Sequence, residues 1–246
     1  MPHRIALVGC GPWSEHILRD LQSLGAEVQV VARHESSRAR AVQGGASRIV
    51  SSVSELHPAD GIVIARETVS HAEAIFDCVP FGVPIFVEKP MTHSVESAAA
   101  IAAMSDAGAR IFVMDKWRYH PGIEALADLA RSQKYGKVVG LRCRRNWWGN
   151  PHSDVSALWI YVPHDLSIAL EILGQISDPQ YAIGDVHGVQ VRGIQGVLGS
   201  HPWFSFESHS RSHKLRTPGD TSFGRCHRRA ANARFSRSRD LSFGQS

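Results

Sequence analysis

A doubly wound parallel α/β sheet, followed by a second region of longer strands, is the fold class that three features of this 246-residue sequence predict. A short apolar strand opens the chain and runs straight into Gly9-Cys-Gly11-Pro-Trp-Ser14. From there to Met114, apolar strand-like runs alternate with helix-like segments, as a parallel sheet covered on both faces requires. Beyond Pro121 the pattern changes to longer strand-like stretches around a single apolar helix.

Taken in order, Ile5 to Val8 is the first strand and Trp13 to Leu24 the helix that follows its glycine turn. Glu27-Val-Gln-Val-Val31 is the next strand and Ser36 to Gln43 a helix. Asp60-Gly-Ile-Val-Ile-Ala65 reads as a buried strand, His71 to Val79 as a helix, and Pro84-Ile-Phe-Val87 as a strand. Ser94 to Ala107 is alanine-rich, the composition of a good helix former, and Ala109 to Met114 is again a strand. Pro121 suits the first position of a helix through Leu129. A sheet is expected to use Val138 to Trp147 and Ala182 to Leu198, with a helix over Leu166 to Leu173. These elements divide the chain at about residues 118 and 207 into two domains and a tail.

The tail is set apart by charge. Of 27 Lys and Arg residues, 9 lie in residues 208–246, against 2 of the 23 Asp and Glu residues. With its Ser, Arg, His and Gly and little apolar periodicity, it reads as a poorly ordered end. It lacks the interleaved aromatics of a nucleic-acid stacking surface, so nucleic acid is not the expected partner, although a nucleic-acid-binding tail stays as an alternative class. Cys10, Cys78, Cys143 and Cys226 are scattered, with no CxxC pair, and suggest reduced thiols rather than a zinc site or a disulfide framework. The sequence shows no membrane-span pattern and no apolar segment of a secretory signal near Met1. A cytoplasmic protein is expected.

Gly9 permits a tight turn off the first strand, Gly11 lets a backbone approach a pyrophosphate, and the following helix directs its N-terminus at negative charge. Ser14 stands where Gly or Ala usually provides close helix–strand contact. Ligands of such sheets bind beyond the carboxyl ends of the strands. The glycine turn, Ala65-Arg-Glu-Thr68, Glu88-Lys-Pro90 and Asp115-Lys116 all fall there. A dinucleotide is therefore the expected cofactor, and NAD and NADP both stay open. Where NAD sites commonly carry an acid for the ribose, this chain has Val31-Ala32-Arg33-His34, with Glu35 just beyond. Arg33, with His34 or Arg38, suits a 2′-phosphate, and Arg33 stacked on adenine or left in solvent suits either cofactor.

The chain resembles the glucose-fructose oxidoreductase and inositol dehydrogenase (Gfo/Idh/MocA) family. The resemblance is carried by Gly9-Cys-Gly-Pro-Trp-Ser14, Thr68-Val-Ser-His71, Phe86-Val-Glu-Lys-Pro-Met91, Lys116-Trp-Arg-Tyr-His-Pro121 and Val162-Pro-His-Asp through Leu173-Gly174, spanning about residues 4–207. It implies an N-terminal Rossmann doubly wound domain to about residue 118 and, over 119–207, a partial substrate and oligomerisation domain, a shortened α/β domain with a mainly antiparallel sheet. It further implies NAD(P)-dependent hydride transfer at a secondary alcohol or ketone of a sugar, cyclitol or nucleotide-sugar. Cofactor contacts are expected from Gly9, Gly11, Pro12, Trp13, Arg33, Ala65, Thr68, His71, Glu88 and Lys89. Lys89, at a strand end, can stabilise negative charge on a reacting oxygen, and the resemblance gives it a place beside nicotinamide and substrate. His164 suits proton transfer by its near-neutral intrinsic pKa.

Many family members carry an aspartate four residues before this histidine, where this chain has Ile160; Asp165 and Asp154 are not assumed to replace it. Lys116, Arg118, Trp147 and His164 are the candidate substrate contacts, with a structural role at the domain junction open for Lys116 and Arg118. Trp148, Asn146 and Asn150 could join Trp147 in a sugar pocket, with sheet packing the alternative. His152, Asp154, His164 and Asp165 lack a metal-ligand spacing, so no metal is expected. Homo-oligomerisation through the second-domain sheet is left open. A catalytically weakened nucleotide-binding or regulatory protein remains an alternative, motivated by Ser14, Ile160 and the short second domain.

Overall fold

In the computed structural model the described residues are 1–148, 154–187, 190–199, 202–211 and 230–235. The chain forms two compact units, Met1–Met114 and Asp115–Ser246.

The first unit contains β1 (Arg4–Val8), α1 (Pro12–Ser23), β2 (Glu27–Val31), α2 (Glu35–Gln43), β3 (Arg48–Val50), β4 (Gly61–Ile64), α3 (His71–Cys78), β5 (Ile85–Val87), α4 (Val95–Asp106) and β6 (Ile111–Val113). Its sheet has the order β3-β2-β1-β4-β5-β6, and every pairing is parallel. Because side chains alternate along a strand, β1 feeds two cores. Ala6 and Val8 pack with Ile62, Ile64, Ile85 and Val87 against α3 and α4, through Ala74, Ile75, Cys78 and Ile101. Leu7 packs with Val28, Val30 and Val63 against Leu18 of α1 and Ala41 of α2. Burial on both faces explains the near-continuous apolar strands. β3 is an element the sequence reading does not name; its three residues align in parallel with Gln29–Val31.

The second unit contains α5 (Pro121–Ser132), β7 (Val138–Trp148), α6 (Ala157–Leu173), β8 (Pro179–His187), β9 (Gln190–Leu198), β10 (Trp203–Arg211) and β11 (Ala230–Phe235). The sheet order is β11-β7-β10-β9-β8; β7 and β10 run parallel and the other neighbours antiparallel. One face carries Leu141, Cys143, Phe204 and Phe206, which pack against Ile123 and Ala127 of α5 and Ile168, Ala169 and Ile172 of α6. Helix α6 begins nine residues before the helix expected from Leu166, so that Pro163 and His164 lie inside it. The expected boundary near residue 118 falls within the 3-10 turn Lys116–Tyr119, which belongs to the second unit. β10 continues through Arg211 and β11 pairs with β7, both inside the stretch read as tail. Residues 212–229 and 236–246 of that stretch, and Cys226 with them, lie outside the described residues.

Cys10, Cys78 and Cys143 are free thiols within these cores, each at most 3% exposed. Burial pushes all three thiols up, Cys78 to about 12. Since the thiolate is the nucleophile, iodoacetamide at pH 8 should leave these three cysteines unmodified in the native protein and label them in urea. Peptide mass spectrometry reads each position, and fast native labelling of Cys78 or Cys143 would contradict the packing.

Candidate functional site

The glycine turn joins three strand ends. Gly9 has φ +103°, and a Cβ there would lie 2.6 Å from the Ala65 carbonyl oxygen and 2.8 Å from Arg66 Cγ. Its N–H donates to the Val31 carbonyl at 3.0 Å, while the Ala65 N–H donates to the Val8 carbonyl at 3.0 Å. Gly9 is thus required by the protein's own backbone. Gly11 is different: its backbone is extended, with φ −78°, and a Cβ there would meet nothing within 4 Å. Any demand for glycine at this position comes from something outside the chain that approaches the turn.

Gly11 caps α1 without a side-chain hydrogen bond, and Pro12 occupies the first helical turn. The N-terminus of a helix concentrates peptide N–H groups and positive potential, so the turn fits a pyrophosphate. Ser14 is 1% exposed and its Oγ donates to the Ala65 carbonyl at 2.6 Å. The hydroxyl therefore ties α1 to the end of β4, where Gly or Ala would rely on contact alone.

Trp13 and Glu88 link the start of α1 to the segment after β5. The Trp13 indole N–H donates to Glu88 Oε1 at 2.5 Å, and the Lys89 N–H donates to Glu88 Oε2 at 3.0 Å. Lys89 is half-buried and its peptide bond to Pro90 is cis. Thr68 is buried at the start of the 3-10 turn Thr68–Ser70. His71 is 1% exposed, with Nδ1 2.8 Å from the Pro90 carbonyl and Nε2 3.0 Å from the Arg66 carbonyl. Its ring joins the β4–α3 loop to the Glu88–Lys89–Pro90 segment.

At the end of β2, Arg33, His34 and Glu35 are exposed. Arg38 Nη1 donates to the Ala32 carbonyl at 3.2 Å and to Ser51 Oγ at 3.3 Å. Arg40 Nη1 donates to the Ser36 carbonyl at 3.3 Å and the Cys10 carbonyl at 3.4 Å. Arg40 thus reaches the glycine turn from α2, a contact that the sequence reading missed because it is made between elements, with no local signal.

The second unit buries a separate polar cluster. His164 of α6 is 6% exposed, and its Nδ1 lies 3.7 Å from Asp115 Oδ1. Arg145 of β7 and Asp165 of α6 are 3% and 2% exposed, and Arg145 donates to Asp165 Oδ1 from Nη2 at 2.6 Å and from Nε at 3.2 Å. Trp117 presents its ring edge-on to His164 and has the Arg145 guanidinium 5.6 Å from its centroid. Ile160, one turn before His164, is packed with Tyr161 and Val155. Arg118 pairs with Glu171 of α6 at 3.0 Å, and Lys116 is exposed. The β7 backbone at Trp147 pairs with Ser210; the side chains of Asn146, Trp147 and Trp148, and residues Asn150 and His152, lie outside the described set. Among the described residues no His, Cys, Asp and Glu group is arranged to hold a metal.

Residues 3–115 match the family described as "Oxidoreductase family, NAD-binding Rossmann fold" (Gfo/Idh/MocA). An inositol 2-dehydrogenase of Streptomyces avermitilis is 27% identical over 182 residues, 70% of this chain and 53% of that protein. A D-apiose dehydrogenase of Paraburkholderia graminis is 29% identical over 140 residues, 53% of this chain and 37% of that protein. The chain spans about half the length of the curated relatives it matches. A myo-inositol dehydrogenase of Corynebacterium glutamicum superposes with TM-score 0.74 at 20% identity, over 86% of this chain and 69% of that one. An oxidoreductase of Agrobacterium radiobacter, solved with NAD+, L-tartaric acid and magnesium, gives 0.76 at 18% identity, over 89% and 70%. These structures establish a shared fold.

The two glycines separate by experiment. Gly9→Ala should cost about 1–3 kcal/mol through strain and the clash with Ala65, read as a lower urea midpoint. Gly11→Val should leave that midpoint within about 0.5 kcal/mol of wild type while weakening dinucleotide binding at least tenfold. Equal affinity in Gly11→Val and wild type would contradict a pyrophosphate at this turn.

Proposed function

We propose, from the match of residues 3–115 to the NAD-binding Rossmann fold of the Gfo/Idh/MocA oxidoreductases, that the chain is of this family and transfers a hydride reversibly between a nicotinamide cofactor and a secondary alcohol or ketone of a sugar or cyclitol. The observation that carries the reading is Gly11, a glycine with open space where its side chain would be, at the unguarded N-terminus of α1. The names of the inositol and apiose dehydrogenase relatives support a polyol substrate.

A bound nicotinamide cofactor would supply the hydride acceptor for the carbinol carbon. The chain supplies the rest. Gly9 holds the turn open and Gly11 admits the pyrophosphate. Glu88, bonded by Trp13 and by the Lys89 N–H, fixes the segment from which Lys89 donates to the reacting oxygen. His164 takes the hydroxyl proton as the carbonyl forms and returns it in the reverse direction. Arg33, exposed where an acid would otherwise meet the ribose, directs the choice toward NADP. We place the protein in the cytoplasm, in keeping with its three free buried thiols. Self-association through the exposed face of the second sheet, which carries Tyr181 and Ile183, belongs to the same reading and is measured by sedimentation of the purified chain.

Fluorescence titration with NADPH and NADH tests the first step. NADPH should bind more tightly, and Arg33→Asp should reverse the order; saturation by neither nucleotide would overturn the function. A panel of sugars and cyclitols, beginning with inositol and apiose, then finds the substrate. On it, Lys89→Ala and His164→Ala should each lower kcat roughly 100-fold with nucleotide affinity within about threefold of wild type. Wild-type turnover in both variants would show the assignment wrong. Nucleotide binding without turnover on the whole panel would favour a regulatory, catalytically weakened protein.

A further inference from the structure

A histidine that takes a proton from an alcohol works best when its other ring nitrogen is held by a carboxylate, which fixes the tautomer and stabilises the imidazolium that forms. The turn of α6 before His164 cannot supply one, since Ile160 is 3% exposed and packed among apolar groups. Asp165, although adjacent in sequence, is engaged by Arg145 through two hydrogen bonds in a buried pair. We propose that Asp115, arriving from the end of β6, is the positioning residue for His164: its carboxylate faces Nδ1, keeps the proton there, and leaves Nε2 as the atom that accepts the substrate's proton.

Three observations carry this. Asp115 Oδ1 is 3.7 Å from His164 Nδ1, with side chains only 17% and 7% exposed. That is ion-pair range and about 0.5 Å beyond a usual hydrogen bond, the loose spacing common in sites before substrate binds. Second, Asp115 Oδ1 is buried and has no hydrogen-bond partner among the described residues, and a buried carboxylate oxygen is costly unless a donor meets it. An Nδ1–H turned toward it answers that need. Third, the charge pair described beside His164 is matched within itself. Arg145 is matched to Asp165, and Trp117 touches both the guanidinium and the His164 ring. His120 also meets this indole, its ring tilted against Trp117 at 5.3 Å between centroids. Within this cluster a proton on His164 is matched by Asp115 rather than by Asp165.

The role in proton transfer rests on the hydride-transfer reading; the pairing itself does not, and it is tested without substrate or cofactor. Ring 15N and 13C–H signals of the intact chain are followed by NMR against pH, with His164 identified by the signal lost in His164→Gln. In wild type the neutral ring should be the Nδ1–H tautomer. Asp115→Asn should lower the titration midpoint of His164 by about 1 pH unit, because a nearby opposite charge favours the protonated ring, and Asp115→Glu should restore most of that shift. Unchanged amide spectra elsewhere exclude general unfolding as the cause. An Nε2–H tautomer in wild type, or the same midpoint in wild type and Asp115→Asn, would overturn the proposal; the wild-type tautomer decides it even where a variant does not fold. Absence of NADPH and NADH binding would instead remove the functional reading and leave the pairing intact.

Discussion

Gly9 is the constraint on which the first unit depends. Its backbone sits at a positive φ between the ends of β2 and β4, donating to Val31 and lying so close to Ala65 that a methyl group has no place. Ser14 closes the same knot by donating to the Ala65 carbonyl from the first turn of α1. With strand ends and helix start fixed to one another, the approach to Gly11 is preorganised. A ligand that binds there meets dipoles already in position, and little ordering free energy is spent on binding.

The second unit solves a different problem, the burial of charge beneath a helix. Arg145 points to the helix-covered face of β7, the face that Leu141 and Cys143 line, and it meets Asp165 of α6. A buried ion pair of this kind contributes little net stability compared with apolar packing, but removing one partner leaves a charge stranded. What the pair does accomplish is to fix the rotation of α6, and with it the direction of His164. Asp115 then completes the cluster from the other end of the unit's sequence. Positioning by rigid elements, rather than by a loop, is what the proton transfer proposed for His164 requires.

Much of the first unit was legible because its signals are local. The glycine turn, the Val and Ile runs and the alanine-rich α4 each mark their own element within a residue or two. β3 was not legible, since Arg48–Val50 is too short to show a period and is defined by its pairing with β2. In the second unit the helix expected over Leu166 to Leu173 starts at Ala157 with Pro163 inside it, and its apolar contacts with the sheet hold the helix despite the missing N–H. β11 had no periodicity to reveal it in a Ser- and Arg-rich stretch; it exists as a partner of β7. The site divides in the same way. Gly9, Gly11 and Lys89 are marked by motif, whereas Arg40 at the Cys10 carbonyl, the Arg145–Asp165 pair and Asp115 beside His164 are contacts across the fold. His71 shows the converse: its motif marked it as functional, and its ring holds two loops together from within the core.

The central claim is that the turn between β1 and α1 receives a dinucleotide pyrophosphate. Backbone amide shifts of the 15N-labelled chain, followed during titration with NADPH, test it at the atoms concerned. The account predicts saturable shifts concentrated at Gly9 to Ser14 and at Arg33, with the amides of the five-stranded sheet unmoved. Saturable shifts elsewhere with Gly9 to Ser14 unchanged, or no saturable shift at all, would contradict it.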